Sequence, residues 1–179
     1  MEIVPKRFSK NDIPIRVNWI NDSRINQTMF FDLPASIENT EKWYANNINS
    51  KSRIDFSFFN KDGDLIAMGG FTSISDEHKN AEYYVMVNPN LQGQGIGKAV
   101  SLWMYNYAFS ILKLNKIYLY TNDDNVAAYN IYEKAGFSLE GVLKEHKWKN
   151  GKFQNRRFYG LLKSDWIKLP WAKNIDNAV

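Results

Sequence analysis

The sequence predicts an α+β fold built on a largely antiparallel sheet. Three segments, IDFSFFN (54–60), LIAMGGFTSI (65–74) and AEYYVMV (81–87), alternate in polarity and follow one another through the short turns KDGD and SDEHKN. The flanking stretches carry the 3.6-residue period of amphipathic helices instead. A dinucleotide-binding unit would alternate strand and helix from its start, so three strands in direct succession exclude it.

The elements follow in order. MEIVPKRF reads as an edge strand, since Pro5 has no N–H to give a neighbour. Residues 11–29 read as mostly helical, with Asp12 as cap and Pro14 in the first turn. FFDLP (30–34) is a loop, and SIENTEKWYANNI (36–48) is a second helix capped at Ser36 or Thr40. In KDGD, Gly63 takes the positive-φ position of a hairpin turn. KAVSLWMYNYAFSIL (98–112) puts Trp103, Tyr107 and Ile111 on one helical face. KIYLYT (116–121) is a buried strand, and NVAAYNIYEKA (125–135) is a helix ended by Gly136. The segment 137–162 is a strand pair turned at Asn150-Gly151.

Composition narrows the function. At 179 residues, without repeats or linkers, the chain suits one domain. A net charge of +4 without a long basic run points away from nucleic-acid and membrane partners. The chain has no cysteine, which excludes a cysteine nucleophile and thiolate metal sites and suits a cytoplasmic protein. Two histidines make a histidine-rich metal site an unpromising expectation, so no metal is assigned.

The sharpest local signal is LQGQGIG (91–97), between a strand and a helix. Its spacing matches neither GxGxxG nor GxxxxGK[ST]. The physics is still that of an anion site: free N–H groups and the positive dipole end at the helix start, with glycines clearing Cβ atoms from the approach. A tight turn using glycine for steric reasons alone is the other reading.

VNPNLQGQGIGKAV, followed by NVAAYNIYEKAGF, resembles the two hallmark segments of the GCN5-related N-acetyltransferases (GNAT family). The resemblance covers most of the chain and is strongest from Glu82 to Phe137. The ending LEGVLKEHKWKNGKFQNRRFYGLL is similar to the ribosomal-protein and spermidine acetyltransferase branch, and to the tails of amino-sugar acetyltransferases. It implies a single GNAT-like domain over residues 1–170 with a tail at 171–179. Its sheet would have six to seven strands, central strands that splay apart, and four flanking helices. It implies an acetyl-CoA-dependent N-acetyltransferase acting on a primary amine of a small molecule, a polyamine or an amino sugar. The amine would attack directly in a ternary complex. A protein N-terminal acetyltransferase and a non-catalytic acyl-CoA-binding module are the alternatives.

The same resemblance implies site residues. Met86 and Val87 would offer main-chain groups to pantetheine and the thioester carbonyl. Gln92, Gly93, Gln94, Gly95, Ile96, Gly97 and Lys98 would seat the pyrophosphate. Asn125 would bond the pantetheine arm, with Ala128 leaving it room. Asn125 and Tyr132 are seven apart, about 20° from eclipsed on a helix, and Tyr132 becomes the general acid. Lys134 would approach the adenosine phosphates, or is a surface lysine. Glu82 is the candidate base, or one half of a cross-strand ion pair. Asp32, flanked by Phe31 and Phe30, would meet a cationic acceptor, or is a turn aspartate. Lys152, Arg156 and Arg157 form a basic group that suits a nucleotide-linked sugar, or a solvated strand end. Trp166, Leu169 and Trp171 fit either a homo-oligomer patch or core packing.

Overall fold

The computed structural model describes residues 2–149 and 151–173. The chain runs β1 (Val4–Arg7), α1 (Ile13–Asn21), α2 (Ser23–Asn26), α3 (Ile37–Asn47), β2 (Ile54–Phe59), β3 (Leu65–Ser75) and β4 (Asn80–Val87). It continues α4 (Ile96–Ser110), β5 (Lys116–Asn122), α5 (Val126–Lys134), β6 (Ser138–Lys149), β7 (Lys152–Leu162) and α6 (Lys163–Trp166). The strands form one sheet in the order β1-β2-β3-β4-β5-β7-β6. Every pairing is antiparallel except β4 with β5. The expected α+β sheet is therefore present, with α1, α3, α4 and α5 as the longer helices.

Alternation along the strands sends two apolar sets to opposite faces. Tyr83, Val85 and Val87 face a core with Val100, Met104 and Phe109 of α4 and Ile117 and Leu119 of β5. Met86 faces a second core with Ile13, Val17 and Ile20 of α1. Trp103 and Tyr107 stack at 5.1 Å, as the shared helical face requires, and close on Phe56 at 5.2 and 5.0 Å. Strands β2 and β3 meet very closely at Gly70, where a Cβ would stand 2.3 Å from the Ile54 carbonyl oxygen. Gly70→Ala should part these strands and lower stability by about 3 kcal/mol, read by urea unfolding.

Three expectations change. The helix expected over 11–29 breaks at Asp22, which is extended (φ −72°, ψ 129°) and accepts the Arg24 N–H at 2.9 Å. A short polar side chain that bonds the backbone ahead of it ends one helix and starts the next. Asp12 precedes α1 without capping it; its Oδ2 accepts from the Ser9 N–H, the Ser9 hydroxyl and the Ser57 hydroxyl at 2.9, 3.1 and 2.8 Å. The carboxylate thus pins the chain entry to β2. Trp166 is in the core, its Nε1 donating to Asn106 Oδ1 at 3.0 Å, and the partly buried Leu169 packs against the same core, so core packing accounts for both.

Asn150, the expected turn residue, lies outside the described residues; its neighbour Gly151 has φ +76°. Residues 174–179 of the expected tail also lie outside them. Among the described residues no helix is long and apolar enough to cross a membrane.

Between β4 and β5 the sheet opens. Their parallel pairing stops after Asn80↔Lys116, Ala81↔Ile117 and Glu82↔Tyr118, while β4 continues along β3 to Val87. From Leu119 onward β5 pairs with β7. The side of β4 beyond Glu82 that faces β5 therefore carries main-chain groups outside any ladder.

Candidate active site

One end of this wedge is the glycine loop. Gly93 and Gly95 sit at φ +79° and +78°, where a side chain is disfavoured, and a Cβ at either would meet nothing within 4 Å. Gly97 differs from both. A Cβ there would lie 3.3 Å from Val87 Cγ2, so the glycine lets α4 begin against the end of β4. The first helical hydrogen bond runs from the Ala99 N–H to the Gly95 carbonyl at 3.1 Å. The amides of Ile96, Gly97 and Lys98 precede it and need partners from outside the helix. Ile96 is buried, so it offers the loop only its main chain, while Gln92, Gln94 and Lys98 are exposed. Such an array fits a pyrophosphate. Gly95→Ala should strain the backbone by about 1–2 kcal/mol, weakening anion binding at the loop and lowering the Tm measured by calorimetry.

Helix α5 follows β5 and packs against β6. Asn125 is the helix N-cap: its Oδ1 accepts the Ala128 N–H at 3.2 Å, and its amide nitrogen has two donors for a ligand. Its backbone (φ −86°, ψ 67°) is not helical, so the phase expected between Asn125 and Tyr132 starts outside the helix. Tyr132 packs on Phe137 and Tyr159, with ring centroids at 6.0 and 6.5 Å. Burial pushes its phenol up to about 12. Tyr83 and Tyr105 are raised as well, first by burial and then by the neighbouring phenols, and the Tyr83 hydroxyl shares a 2.6 Å hydrogen bond with Ser101. All three phenols stay protonated at neutral pH, and Tyr132 is a standing proton donor. Lys134 is exposed at the far end of α5.

Glu82 stands where the two strands part, on the face opposite Tyr83. Burial raises its carboxyl pKa, opposed by Arg156, a Thr72 hydrogen bond, Lys147 and Arg53. No cation lies within ion-pair distance of it among the described residues. The expected alternative of a cross-strand ion pair is therefore absent there, and a carboxyl with raised affinity for a proton remains.

Around Glu82 lie aromatic residues of β5 and β7 that sequence reasoning missed, beside Arg156 and Phe30, which it had placed in other groups. Tyr118 and Tyr120 of β5 and Phe158 of β7 form a shelf, with Tyr118–Phe158 and Tyr120–Phe158 centroids at 5.4 and 5.1 Å. The Arg156 guanidinium lies over Tyr120 at 4.8 Å and over Phe30 at 5.0 Å. Lys149 Nζ donates to the carbonyl oxygens of Asn26, Gln27 and Met29, and so fastens the loop that carries Phe30. Strand parity would have found part of this, since adjacent residues of β7 must point to opposite faces. Arg157 does so, pairing with Asp123 at 2.7 Å and covering Tyr129 at 4.3 Å on the α5 side. Lys152, Arg156 and Arg157 therefore do not form one basic group.

The acceptor loop also differs from expectation. Phe31 turns toward the α1 core, 5.8 Å from the buried Arg16, and Phe30 takes the place beside Arg156. Asp32 is exposed. Three further carboxylates gather at an open cavity of about 350 Å³ lined by Asp123, Asp124, Glu145, Lys152, Phe153, Gln154 and Asn155.

A family model described as the acetyltransferase (GNAT) domain matches residues 6–138. The chain belongs to the GNAT acetyltransferase family. Within this family it is 29% identical to a spermidine N(1)-acetyltransferase of Vibrio cholerae, over 84% of this chain and 88% of that protein. It is 33% identical to a spermidine N(1)-acetyltransferase of Escherichia coli, over 52% of this chain and half of that protein. The crystal structure of the Vibrio cholerae spermidine N-acetyltransferase in complex with CoA and spermine superposes with a TM-score of 0.89 at 27% identity, covering 92% of this chain and 98% of that one. The parted strands and the glycine loop are thus parts of a GNAT domain.

Proposed function

We propose that this GNAT domain is an acetyl-CoA-dependent N-acetyltransferase that acetylates a primary amine of a small molecule by direct attack in a ternary complex. The observation that supports it best is the wedge between β4 and β5, with the glycine loop at one end and Glu82 where the strands part, together with the protonated phenol of Tyr132. Acetyl-CoA supplies the acetyl group as a thioester and departs as a thiol. In this reading the amides of residues 96–98 hold the pyrophosphate, with Gln92, Gly93, Gln94 and Gly95 shaping the loop around it. The free main chain of Met86 and Val87 pairs with the pantetheine arm and polarises the thioester carbonyl, as oriented N–H groups do for a developing oxyanion. The Asn125 amide nitrogen adds a donor beside Ala128, and Lys134 screens the adenosine phosphates.

Glu82 then takes the proton from the amine, directly or through water. Tyr132 donates to the departing sulfur. An ordinary thiol has a pKa near ~8.5, well below the Tyr132 phenol, so the phenol serves the thiolate as a hydrogen-bond donor before any transfer is complete. The absence of cysteine agrees with attack by the amine itself.

Relatives that acetylate spermidine support a polyamine acceptor, and so do the carboxylates around the cavity near Gln154. A second reading, an amino sugar, is favoured by the cations Lys147, Lys149 and Arg156 around Phe30, which would repel a polyamine. The lack of cysteine supports a cytoplasmic location. Thiol release from acetyl-CoA in the presence of spermidine, glucosamine or an N-terminal peptide tests the proposal. Release with a small amine and none with the peptide is expected; release with the peptide alone would contradict it.

A further inference from the structure

Three polar side-chain atoms on one face of the sheet lack hydrogen-bond partners among the described residues although they are buried: Asn122 Oδ1, Gln154 Oε1 and Arg156 Nε. Asn122 and Arg156 are register partners across β5 and β7, and Gln154 is two residues from Arg156 on the same face. Asn122 is 5% exposed. Buried polar groups are nearly always paired, so neighbouring orphans on one face point to a ligand. We infer that the acceptor is a hydroxyl-bearing amine of the amino-sugar class, and that Asn122, Gln154 and Arg156 bind its hydroxyls. The inference rests on the proposed acetyl transfer and selects its acceptor.

The donor–acceptor count decides the chemistry. Two of the orphan atoms accept hydrogen bonds and the third presents an N–H. The ammonium groups of a polyamine only donate, so they leave Arg156 Nε–H unpaired; a phosphate only accepts, so it leaves both amide oxygens unpaired. A hydroxyl does both. The surroundings agree with a sugar ring. Tyr120 and Phe158 on the same face offer an apolar floor for ring C–H groups, and Glu82 is close enough to Arg156 to feel its charge. Asn122 lies three residues before Asn125, on the β5 side of the α5 N-terminus.

The test is a calorimetric titration of the CoA-saturated protein with glucosamine, cyclohexylamine and spermidine. Glucosamine and cyclohexylamine share a six-membered ring and a primary amine but differ in their hydroxyls. Glucosamine should bind about 100-fold more tightly than cyclohexylamine, because a site built for hydroxyls rejects an analogue without them. In Gln154→Leu, at a half-buried position that keeps its shape, the ratio should fall at least fivefold; Asn122→Leu should act in the same direction if its melting curve shows it folded. Parity between glucosamine and cyclohexylamine, including no measurable binding of either, overturns the inference, as does an unchanged ratio in Gln154→Leu. Water satisfying the three atoms would give that parity. Binding is read without turnover, so failure of acetyl transfer shows separately, as absence of thiol release with any amine.

Discussion

Tyr132→Phe should lower kcat by about 100-fold, the lower range for losing a positioned proton donor, with the KM for acetyl-CoA little changed. The substitution keeps the ring between Phe137 and Tyr159 and removes only the hydroxyl. Stability should therefore move by about 1 kcal/mol at most, and a melting curve close to wild type would confirm that the fold is intact. The pH profile carries a second signature. The wild-type phenol is held at about 12, so its ionisation should produce no alkaline limb across the neutral range. Full kcat in the variant, with an unchanged profile, would remove Tyr132 from the chemistry.

Glu82→Gln should lower kcat/KM by about 100- to 1,000-fold, within the usual span for a general base. A base works in its deprotonated form, so activity must fall as the pH drops through its pKa. Burial raises that pKa above the ordinary carboxylate value of 4.5, which places the acid limb of kcat/KM above 4.5. The limb should vanish in Glu82→Gln. Arg156 opposes the upward shift, so Arg156→Met should move the limb to higher pH still. A limb that persists in Glu82→Gln would assign it to another group.

Much of the fold was legible because its signals are local. Alternation in 54–60, 65–74 and 81–87 marked three consecutive strands, and Gly63 and Gly136 take the positive φ expected of them. Trp103 and Tyr107 share a face because they are one helical turn apart. The glycine loop was readable for the same reason, since helix-end amides and positive-φ glycines lie within a few residues. The acceptor side was not. Lys149 grips carbonyls 120 to 123 residues away, which nothing in its neighbourhood announces. The choice of Phe30 over Phe31 depends on which ring the α1 core captures. Arg156 and Arg157 look alike in NRRF, and only the pairing of β7 with β5 puts Arg156 on the face of Glu82 and Arg157 on that of α5. Asn122 looks like an ordinary strand end until its register partner across β7 is known.

Initial rates measured while acetyl-CoA and the amine are varied together test the central claim most directly. Direct attack within the β4–β5 wedge requires both substrates to be bound at once, so the reciprocal plots should intersect, with one thiol released for each amine acetylated. Parallel lines, or thiol release independent of the amine, would contradict the account.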